Sequence, residues 1–341
     1  MKRILSCMQP TNRLQLGNYL GALRNWVALQ DEGQDENGSA NECLYGVVDL
    51  HAITVPHNRE ALANSTRETA AAYIAAGVDP DRSYIFAQSA VPAHAQLAWL
   101  FTATTPMGWL DRMTQFKEKA GKNKERASAG LYSYPILMAA DILVYKATHV
   151  PVGDDQKQHL ELARDIASSF NEKFNGGEEF FPQPEPVITG AATRVMSLRD
   201  GTQKMSKSAE SDMTRINLTD DADTISKKIK KAKTDAGVVP SNDKECEGRP
   251  EVANLIGIYA ALSDQTKEQV MAEFGGQQFG VFKPALADLA VEKLSPITNR
   301  MNELMADPAE IDAILRAGAD KANELAQPTV DETMKLMGFW S

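Results

Sequence analysis

The sequence predicts an α/β fold with a parallel sheet, a helical insertion and a following all-α domain. From residue 3 to residue 90, short apolar segments alternate with segments of helical spacing. The pattern then becomes helical, returns to a strand pattern at 148–153, and is almost entirely helical after 215. Strands that alternate with helices favour a parallel sheet, whose ligands bind beyond the carboxyl ends of the strands.

The amino-terminal part contains three strand patterns and two helix patterns. Short apolar runs predict buried strands, and apolar residues at a period near 3.6 predict helices. Ser65 and Thr66 are typical of a helix start, and Gly77 and Pro80 are typical of a helix end. In chain order the segments are the strand KRILSCM, the helix NYLGALRNWVALQD, the buried strand CLYGVVDLHAITV, the helix NSTRETAAAYIAAGVDP and the strand RSYIFAQS.

Helices dominate from Pro92 onward. The predicted insertion contains the helices AHAQLAWLFTAT, GWLDRMTQFKEKA and LYSYPILMAADILVYKA. It is followed by the strand THVPVG, the helix DQKQHLELARDIASSFNEKF, the strand TRVMSL, and the helices TISKKIKKAKTD, EVANLIGIYAALS and KPALADLAVEKLSPITNRMNELM. We therefore expect a Rossmann-like domain at 1–212, with the insertion around 92–150, and a helical domain at 213–341.

Composition excludes several classes of protein. The 341 residues carry a net charge of -10, which argues against sequence-independent coating of nucleic acid. The three cysteines have no CxxC spacing. A disulfide framework and a cysteine zinc site are therefore not expected, and a reducing cytoplasm fits. No apolar run approaches the ~20 residues of a membrane span, and Pro10 interrupts the amino-terminal segment before a signal-like run forms.

Two stretches are locally basic, at 116–126 and at 226–235. The simplest interpretation of each is a solvated helix face or loop. Either stretch could instead contact phosphates in a specific complex that is recognised by its shape.

The loop GTQKMSKSAESD is a candidate anion site. Lys204 and Lys207 are point charges that can hold a polyphosphate and stabilise charge on a leaving group. Gly201 gives the backbone freedom just before them. A solvated polar loop is the alternative interpretation.

Two predicted helix starts could also contact phosphate or ribose. The first contains Gly17 and Asn18, and backbone amides at a helix start favour negative charge. The sequence there is not GxGxxG, and tight packing of strand against helix would explain the glycine equally well. The second is PVGDDQKQH, at 151–159, whose two aspartates lie between a strand and a helix. They could act as helix caps, and no His or Cys cluster completes a metal site around them.

Asp141 lies within the apolar run YPILMAADILVY, on a helix that should be mostly buried. A buried carboxylate is costly unless it has a partner. That partner could be an internal arginine or amide, or it could be the N–H of a ligand. Tyr134 and Met138 precede Asp141 by about two turns and one turn, so they could line the same pocket.

Together these segments resemble class I aminoacyl-tRNA synthetases, and among them the bacterial tryptophanyl-tRNA synthetases. The resemblance covers nearly the whole chain. The combination of KMSKS with an LGN element at the ends of an α/β core is specific. The segments that carry it are QPTNRLQLGNYLGAL, VVDLHAITV, SAVPAHAQLAWL, RMTQFKEKA, YPILMAADILVY, VPVGDDQKQH and KMSKS.

The resemblance implies a reaction in two steps. The tryptophan carboxylate attacks the α-phosphate of ATP, which gives tryptophanyl-adenylate and pyrophosphate. A hydroxyl of the terminal ribose of tRNA(Trp) then accepts the tryptophanyl group. It also implies Mg²⁺ on the phosphates, no tightly bound cofactor and no metal held by protein side chains. The implied protein is a cytoplasmic homodimer with no membrane association. Its catalytic domain is 1–212, and 213–341 recognises the anticodon, with a C-terminal helix that can pack back on the catalytic domain.

The resemblance also assigns site residues, position by position. The catalytic residues would be Gln15, Asn18, Lys204 and Lys207. Contacts with ATP would come from Gln9, Pro10, Thr11, Gly17, Asn18, Gly153, Asp154, Asp155, Val195, Lys204, Met205, Ser206, Lys207 and Ser208. Asp141 would accept the indole N–H, Met138, Val150 and Val152 would give apolar contact, and Tyr134, His51 and Gln156 would orient the polar end of the amino acid. Leu5 and Cys7 also belong to the expected tryptophan pocket.

Three residues depart from the family pattern. Gln15 stands where the family commonly has His or Thr, and it cannot carry a proton's charge. Leu5 and Cys7 stand where an aromatic residue and a glycine are expected, which changes the shape of the pocket. Cys7 is interpreted as a small packing residue rather than a reactive thiol. Three alternatives stay open: a tyrosyl-tRNA synthetase, a non-catalytic relative that binds ATP, an amino acid or tRNA, and a nucleotidyl transferase of another kind.

Overall fold

The computed structural model describes residues 2–11, 13–32, 41–113, 127–153, 157–187, 194–207 and 209–340. Four expected ligand residues lie outside the described residues, as does the basic stretch at 116–126. These four are Asp154, Asp155, Gln156 and Ser208. In the described ranges, no helix has both the length and the apolar character needed to cross a membrane.

The sheet has five parallel strands in the order β3-β2-β1-β4-β5. The parallel α/β expectation is confirmed, and β5 is a strand that the sequence did not predict. The chain order reverses between β1 and β4, which is where the carboxyl ends of a parallel sheet open a crevice for ligands. The strands are β1 Arg3–Met8, β2 Glu42–Val47, β3 Ser83–Ala87, β4 His149–Pro151 and β5 Glu185–Val187.

Helices surround this sheet and include the predicted insertion between β3 and β4. A π-helical turn at Tyr19–Leu23 joins the first two helices into one continuous element. The helices up to β5 are α1 Leu16–Asn18, α2 Arg24–Asp31, α3 Asp49–Ala52, α4 Arg59–Ala75, a 3₁₀ turn Gln88–Ala90, α5 Ala93–Thr104, α6 Met107–Asp111, α7 Ala129–Leu143 and α8 Lys157–Phe174.

The chain after 215 is helical, as predicted. Prolines at 284, 296 and 328 lie inside its two long helices without ending them. The elements are a 3₁₀ turn Asp212–Thr214, α9 Ala222–Lys230, α10 Asp243–Cys246, α11 Pro250–Ser263, α12 Lys267–Phe274, α13 Phe279–Ala306 and α14 Pro308–Leu336.

The structure corrects two predicted boundaries and one predicted strand. Helix α4 begins at Arg59 because the Asn58 side chain accepts from two backbone N–H groups of its first turn, so the Ser/Thr signal lies inside the helix. Strand β2 ends at Val47, and α3 follows within the segment predicted as strand. The segment TRVMSL forms no strand over its described residues, 194–198. It makes a single bridge, between Met196 and Lys204.

Alternate residues of the strands supply two apolar clusters, one on each face of the sheet. On β1, Ile4 joins a cluster with α2, α4 and the helices α11 to α13. Its neighbour Leu5 joins a second cluster with α5, α7, α8 and α14. This period of two is what strand geometry requires of a sheet that is covered on both faces.

Helix α14 lies directly against β3. An added Cβ on Gly318 would be 2.0 Å from the carbonyl oxygen of Ile85, so only glycine fits this approach. Ala322, Ala326 and Val330 of the same helix are fully buried in the second cluster. The last helix of the chain is therefore part of the packing of the sheet.

Candidate active site

The site lies at the carboxyl edge of the sheet, where four strands end in polar or candidate residues. Gln9 follows β1, His51 lies on α3 after β2, Gln88 follows β3 and Gly153 lies just beyond β4. Parallel strands bring these distant positions to one edge.

The QLGN segment begins the first helix with a reciprocal cap. The Gln15 side-chain oxygen accepts from the Gly17 N–H, and the Asn18 side chain accepts from the Gln15 N–H at 3.1 Å. Gln15 Nε2 also donates to the Met205 carbonyl at 3.2 Å, in a buried position. Gln15 is thus a direct contact between the LGN and KMSKS elements, 190 residues apart.

The KMSKS loop is anchored at its methionine. Met205 is 2% exposed, and its N–H donates to the Val195 carbonyl at 3.0 Å. Lys204 is exposed, whereas Lys207 is partly buried. Burial lowers the pKa of Lys207 from 10.5 to about 8, against an opposing effect of the Glu68 carboxylate.

A charge cluster around the buried Lys228 supports the chain just after this loop. Lys228 Nζ lies 2.5 Å from a carboxylate oxygen of Asp212 and 2.5 Å from one of Asp220. Asn217 donates to both aspartates, and the Leu16 N–H donates to the Ile216 carbonyl at 2.8 Å. These contacts join the loop's exit to the LGN helix start.

Lys228 corrects the interpretation of the basic stretch 226–235 as a solvated face. Its side chain is 2% exposed and belongs to the charge cluster. Lys227, Lys230 and Lys231 of the same stretch are exposed, as expected. The α9 helix is amphipathic, and its buried side carries Lys228 between Ile225 and Ile229.

Asp141 is 3% exposed on α7, and in the described part of the chain its carboxylate has three side-chain donors. Oδ1 accepts from Gln88 Nε2 at 2.6 Å and from His94 Nδ1 at 2.7 Å. Oδ2 lies 2.8 Å from His51 Nε2. The internal partners left open by the sequence are therefore two histidines and one amide, from α3, α5 and the turn after β3.

These donors keep Asp141 ionised. Burial by itself raises the pKa of this carboxyl, but the charge and hydrogen bond of His51, together with the hydrogen bond from His94, outweigh it and lower the pKa from 3.8 to about 2. An ionised carboxylate only accepts hydrogen bonds. The buried group is thus a permanent acceptor at neutral pH.

Tyr134 and His51 lie beside this carboxylate. Their rings meet edge to face, with centroids 6.2 Å apart. The Tyr134 hydroxyl contacts His159 Nε2 at 2.9 Å. His51, expected at the polar end of the amino acid, is here bonded to Asp141.

The expected apolar residues of the pocket fall into two groups. Leu5 and Val150 are buried in the second cluster. Met138, Val152 and Cys7 are partly buried against that cluster. The second group therefore retains surface that a ligand can contact.

Cys7 packs against Gly46 of β2. An added Cβ on Gly46 would lie 2.9 Å from Cys7 Sγ, so the glycine makes room for the thiol. Burial, followed by the charge of Asp141, raises the pKa of Cys7. The thiol is therefore protonated, in agreement with a packing residue.

Sequence reasoning missed Gln88, His94, Tyr145 and His159. Gln88 and His94 contact Asp141, and His159 contacts Tyr134. Tyr145 contacts His94. The available signal was a histidine in the first turn of each of two helices, the apolar helix α5 and the amphipathic helix α8. In the described residues, no group of three or more His, Cys, Asp or Glu could hold a metal ion.

Comparison with known proteins identifies the family. The profile of the class I tRNA synthetases (W and Y) matches residues 1–295, most of the chain. The chain belongs to this family of class I tRNA synthetases. The resemblance found in the sequence is thereby confirmed.

Several relatives that are more than half identical to this class I synthetase are tryptophan–tRNA ligases. It is 58% identical to the tryptophan–tRNA ligase of Rhizobium meliloti (strain 1021), with 98% of each chain covered. It is also 58% identical to that of Caulobacter vibrioides, with 99% of this chain and 96% of the relative covered. A tryptophanyl-tRNA synthetase of Campylobacter jejuni, solved with ADP and tryptophan, has a TM-score of 0.80 at 32% identity, with 99% of this chain and 100% of that chain covered.

Proposed function

We propose that this chain activates L-tryptophan with ATP and then transfers it to tRNA(Trp). The first step gives tryptophanyl-adenylate and pyrophosphate, and the second esterifies the 3′-terminal ribose of the tRNA. The buried, ionised acceptor at Asp141 is the observation that carries the amino-acid specificity. Family membership and the high identity to tryptophan–tRNA ligases support the same reaction.

Asp141 suits an indole because the indole N–H is a donor only. A site built around a buried hydrogen-bonding group rejects ligands without the matching group by a factor of ~10⁴ or more. Met138 and Val152 would contact the rings, while Tyr134 and Gln156 would orient the polar end. His51 would act on the ligand mainly by orienting Asp141, to which it is hydrogen-bonded.

ATP would lie between the LGN and KMSKS elements. Support comes from the Gln15–Met205 hydrogen bond, which brings the two elements together. Attack on the α-phosphate requires alignment and charge stabilisation rather than a nucleophilic side chain. Lys204 and Lys207 would hold the departing pyrophosphate. The remaining ATP contacts in this proposal are Gln9, Pro10, Thr11, Gly17, Asn18, Gly153, Asp154, Asp155, Val195, Ser206 and Ser208.

Mg²⁺ would arrive with ATP as part of the substrate. It would bridge phosphate oxygens and neutralise charge as pyrophosphate leaves. The residues of the chain would bind and orient the phosphates around it.

A homodimer, anticodon recognition by 213–341 and a cytoplasmic location complete the proposal. Trp99 on α5 and Met107 on α6 are 70% and 69% exposed. Their exposure on the insertion is the support for an interface there. The location follows from the tRNA substrate.

The test is amino-acid-dependent exchange of labelled pyrophosphate into ATP, measured without tRNA. We expect exchange with tryptophan and none with tyrosine or phenylalanine. Exchange with tyrosine would favour a tyrosyl-tRNA synthetase, whose phenol can also donate to Asp141. Absence of exchange from folded protein would favour a non-catalytic relative. Aminoacylation of tRNA(Trp) then tests the second step.

A further inference from the structure

The carboxylate of Asp141 does not offer its two oxygens equally. Oδ1 already accepts from Gln88 and from His94, whereas Oδ2 has a single donor among the described residues, His51. Each carboxylate oxygen has about two lone-pair sites. Oδ2 is therefore the oxygen with acceptor capacity left for a ligand.

His94 is itself held by a second buried group. Its Nε2 lies 2.7 Å from the Tyr145 hydroxyl, and both side chains are almost fully buried. Phe86 stacks on the imidazole, with ring centroids 5.9 Å apart. The ring thus has a fixed orientation between Tyr145 and Asp141.

This chain of contacts sets the tautomer of His94. Because Asp141 only accepts, the Nδ1 of His94 carries the proton that faces it. If Nε2 also carried a proton, the Tyr145 hydroxyl would lose its acceptor in a buried position, which is unfavourable. The arrangement that satisfies every group has His94 accepting from Tyr145 at Nε2 and donating to Asp141 at Nδ1.

We propose that His94, positioned by Tyr145, is a specificity-determining residue: by filling Oδ1 together with Gln88, it leaves one acceptor site on Asp141, at Oδ2, for the indole N–H. This inference rests on the proposed function. His94 acts through Asp141, so it is a positioning residue. Neither His94 nor Tyr145 belongs to the residues that the resemblance assigns to the ligand.

The test compares tryptophan with β-(benzothiophen-3-yl)alanine, in which sulfur replaces the indole N–H. The readout is the ratio of kcat/KM for the two amino acids in pyrophosphate exchange. In His94→Phe, a ring remains against Phe86 but the donor is lost. We expect its tryptophan KM to rise on the order of 10- to 100-fold, the ATP KM to stay within about twofold, and the ratio to fall at least about tenfold.

Two further variants separate the hydrogen bond from simple packing. His94→Asn retains a donor near the Nδ1 position, so it should recover most of the discrimination. Tyr145→Phe should lower the ratio to a smaller extent. It removes the hydroxyl that orients the His94 ring, but it keeps the His94 Nδ1–H that donates to Asp141. Tyr45→Phe is the matched control, since its hydroxyl donates to the Trp26 carbonyl at 2.8 Å, away from Asp141. That variant should leave the ratio unchanged.

An unchanged ratio in folded His94→Phe would overturn the inference, as would equal losses in His94→Phe and His94→Asn. If His94→Phe does not fold, an unchanged ratio in Tyr145→Phe would overturn it instead. Failure of the proposed function is distinguishable, because wild-type protein would then show no tryptophan-dependent exchange at all.

Discussion

Lys207 shows how burial can tune one residue of the KMSKS loop. With a pKa of about 8, it is mostly charged at pH 7 and mostly neutral at pH 9. If it holds pyrophosphate as a cation, kcat/KM for ATP should fall about tenfold per pH unit above roughly pH 8. The fall should move to higher pH in Lys207→Arg, because arginine stays protonated. Pyrophosphate exchange from pH 7 to pH 9.5 measures both profiles.

Lys204→Arg is the control for this pH profile. Lys204 is exposed in the same loop, so its replacement should leave the midpoint near that of the wild type. A Lys207→Arg profile with an unchanged midpoint would mean that another group titrates.

Asp141 illustrates what one residue reveals before its structure is known. An aspartate in an apolar helix must have a partner, so the sequence identifies the position. Its donors lie 47, 53 and 90 residues away, on three separate elements. Nothing local indicates which histidines and amides of the chain meet there, because only the folded sheet brings them together.

At the scale of elements, Gln15 couples the LGN helix start to the KMSKS loop. Gln15→Glu keeps an oxygen that can cap the Gly17 N–H, but it cannot donate to the Met205 carbonyl. We expect kcat for exchange to fall about 5- to 20-fold from the lost buried hydrogen bond, with the tryptophan KM unchanged. Gln15→Met should lose more, because the helix cap is removed as well. Steady-state exchange kinetics measure each effect.

Gln30→Glu is the control for Gln15→Glu, because it also replaces a buried glutamine with a carboxylate. The Gln30 side-chain oxygen accepts from the Asp79 N–H and the Ser83 hydroxyl, far from the loop. Folded Gln30→Glu protein should retain the wild-type kcat. A wild-type rate in Gln15→Glu would contradict the coupling, and the catalytic role assigned to Gln15 by resemblance stays a prediction.

The charge cluster after the loop should stabilise the fold through Lys228. Lys228→Met leaves Asp220, which is 7% exposed, without its buried cation. Removal of one partner of a buried pair costs about 3–5 kcal/mol, and urea denaturation measures it. Lys230→Met on the exposed side of α9 should change the free energy of unfolding by less than about 0.5 kcal/mol. Equal effects of the two variants would contradict the cluster's role.

Helices and strands could be predicted from the sequence where their cause is local, and could not where it depends on contacts with distant residues. Helices after 215 were predicted because their apolar period is a local property. The segment at 194–198 was predicted as a strand, yet its partners are separate contacts: the Asn254 side chain, the Thr214 carbonyl and the Met205 N–H. The buried Lys228 was likewise hidden within a run of lysines whose other members are exposed.

At the scale of the whole molecule, the two faces of the sheet are closed by different parts of the chain. Helix α13 covers the face that includes Ile4. Helix α14 adds Ile311 and Leu315 to that face and then packs with the insertion on the other face. The sequence suggested that a C-terminal helix could return to the first domain, but not which strand it would meet. A cut near 215 would therefore remove packing from both faces.

Gly318→Ala tests whether α14 supports the site through β3. The added Cβ would lie 2.0 Å from the Ile85 carbonyl oxygen, so the helix or the strand must move. Overpacking of this kind costs about 1–3 kcal/mol, which urea denaturation measures. Strand β3 leads directly into Gln88, which donates to Asp141. The tryptophan KM should therefore rise more than the ATP KM.

Gly280→Ala is the matched control, because an added Cβ at Gly280, in the first turn of α13, meets nothing within 4 Å. It should leave both KM values unchanged and could stabilise the helix by up to about 1 kcal/mol. If Gly318→Ala were as stable as the wild type, α14 would not approach β3 this closely. A loss of stability with equal changes in both KM values would mean that the displaced strand does not transmit its shift to Gln88. A selective rise in the tryptophan KM would instead connect the last helix of the chain to the recognition of the amino acid.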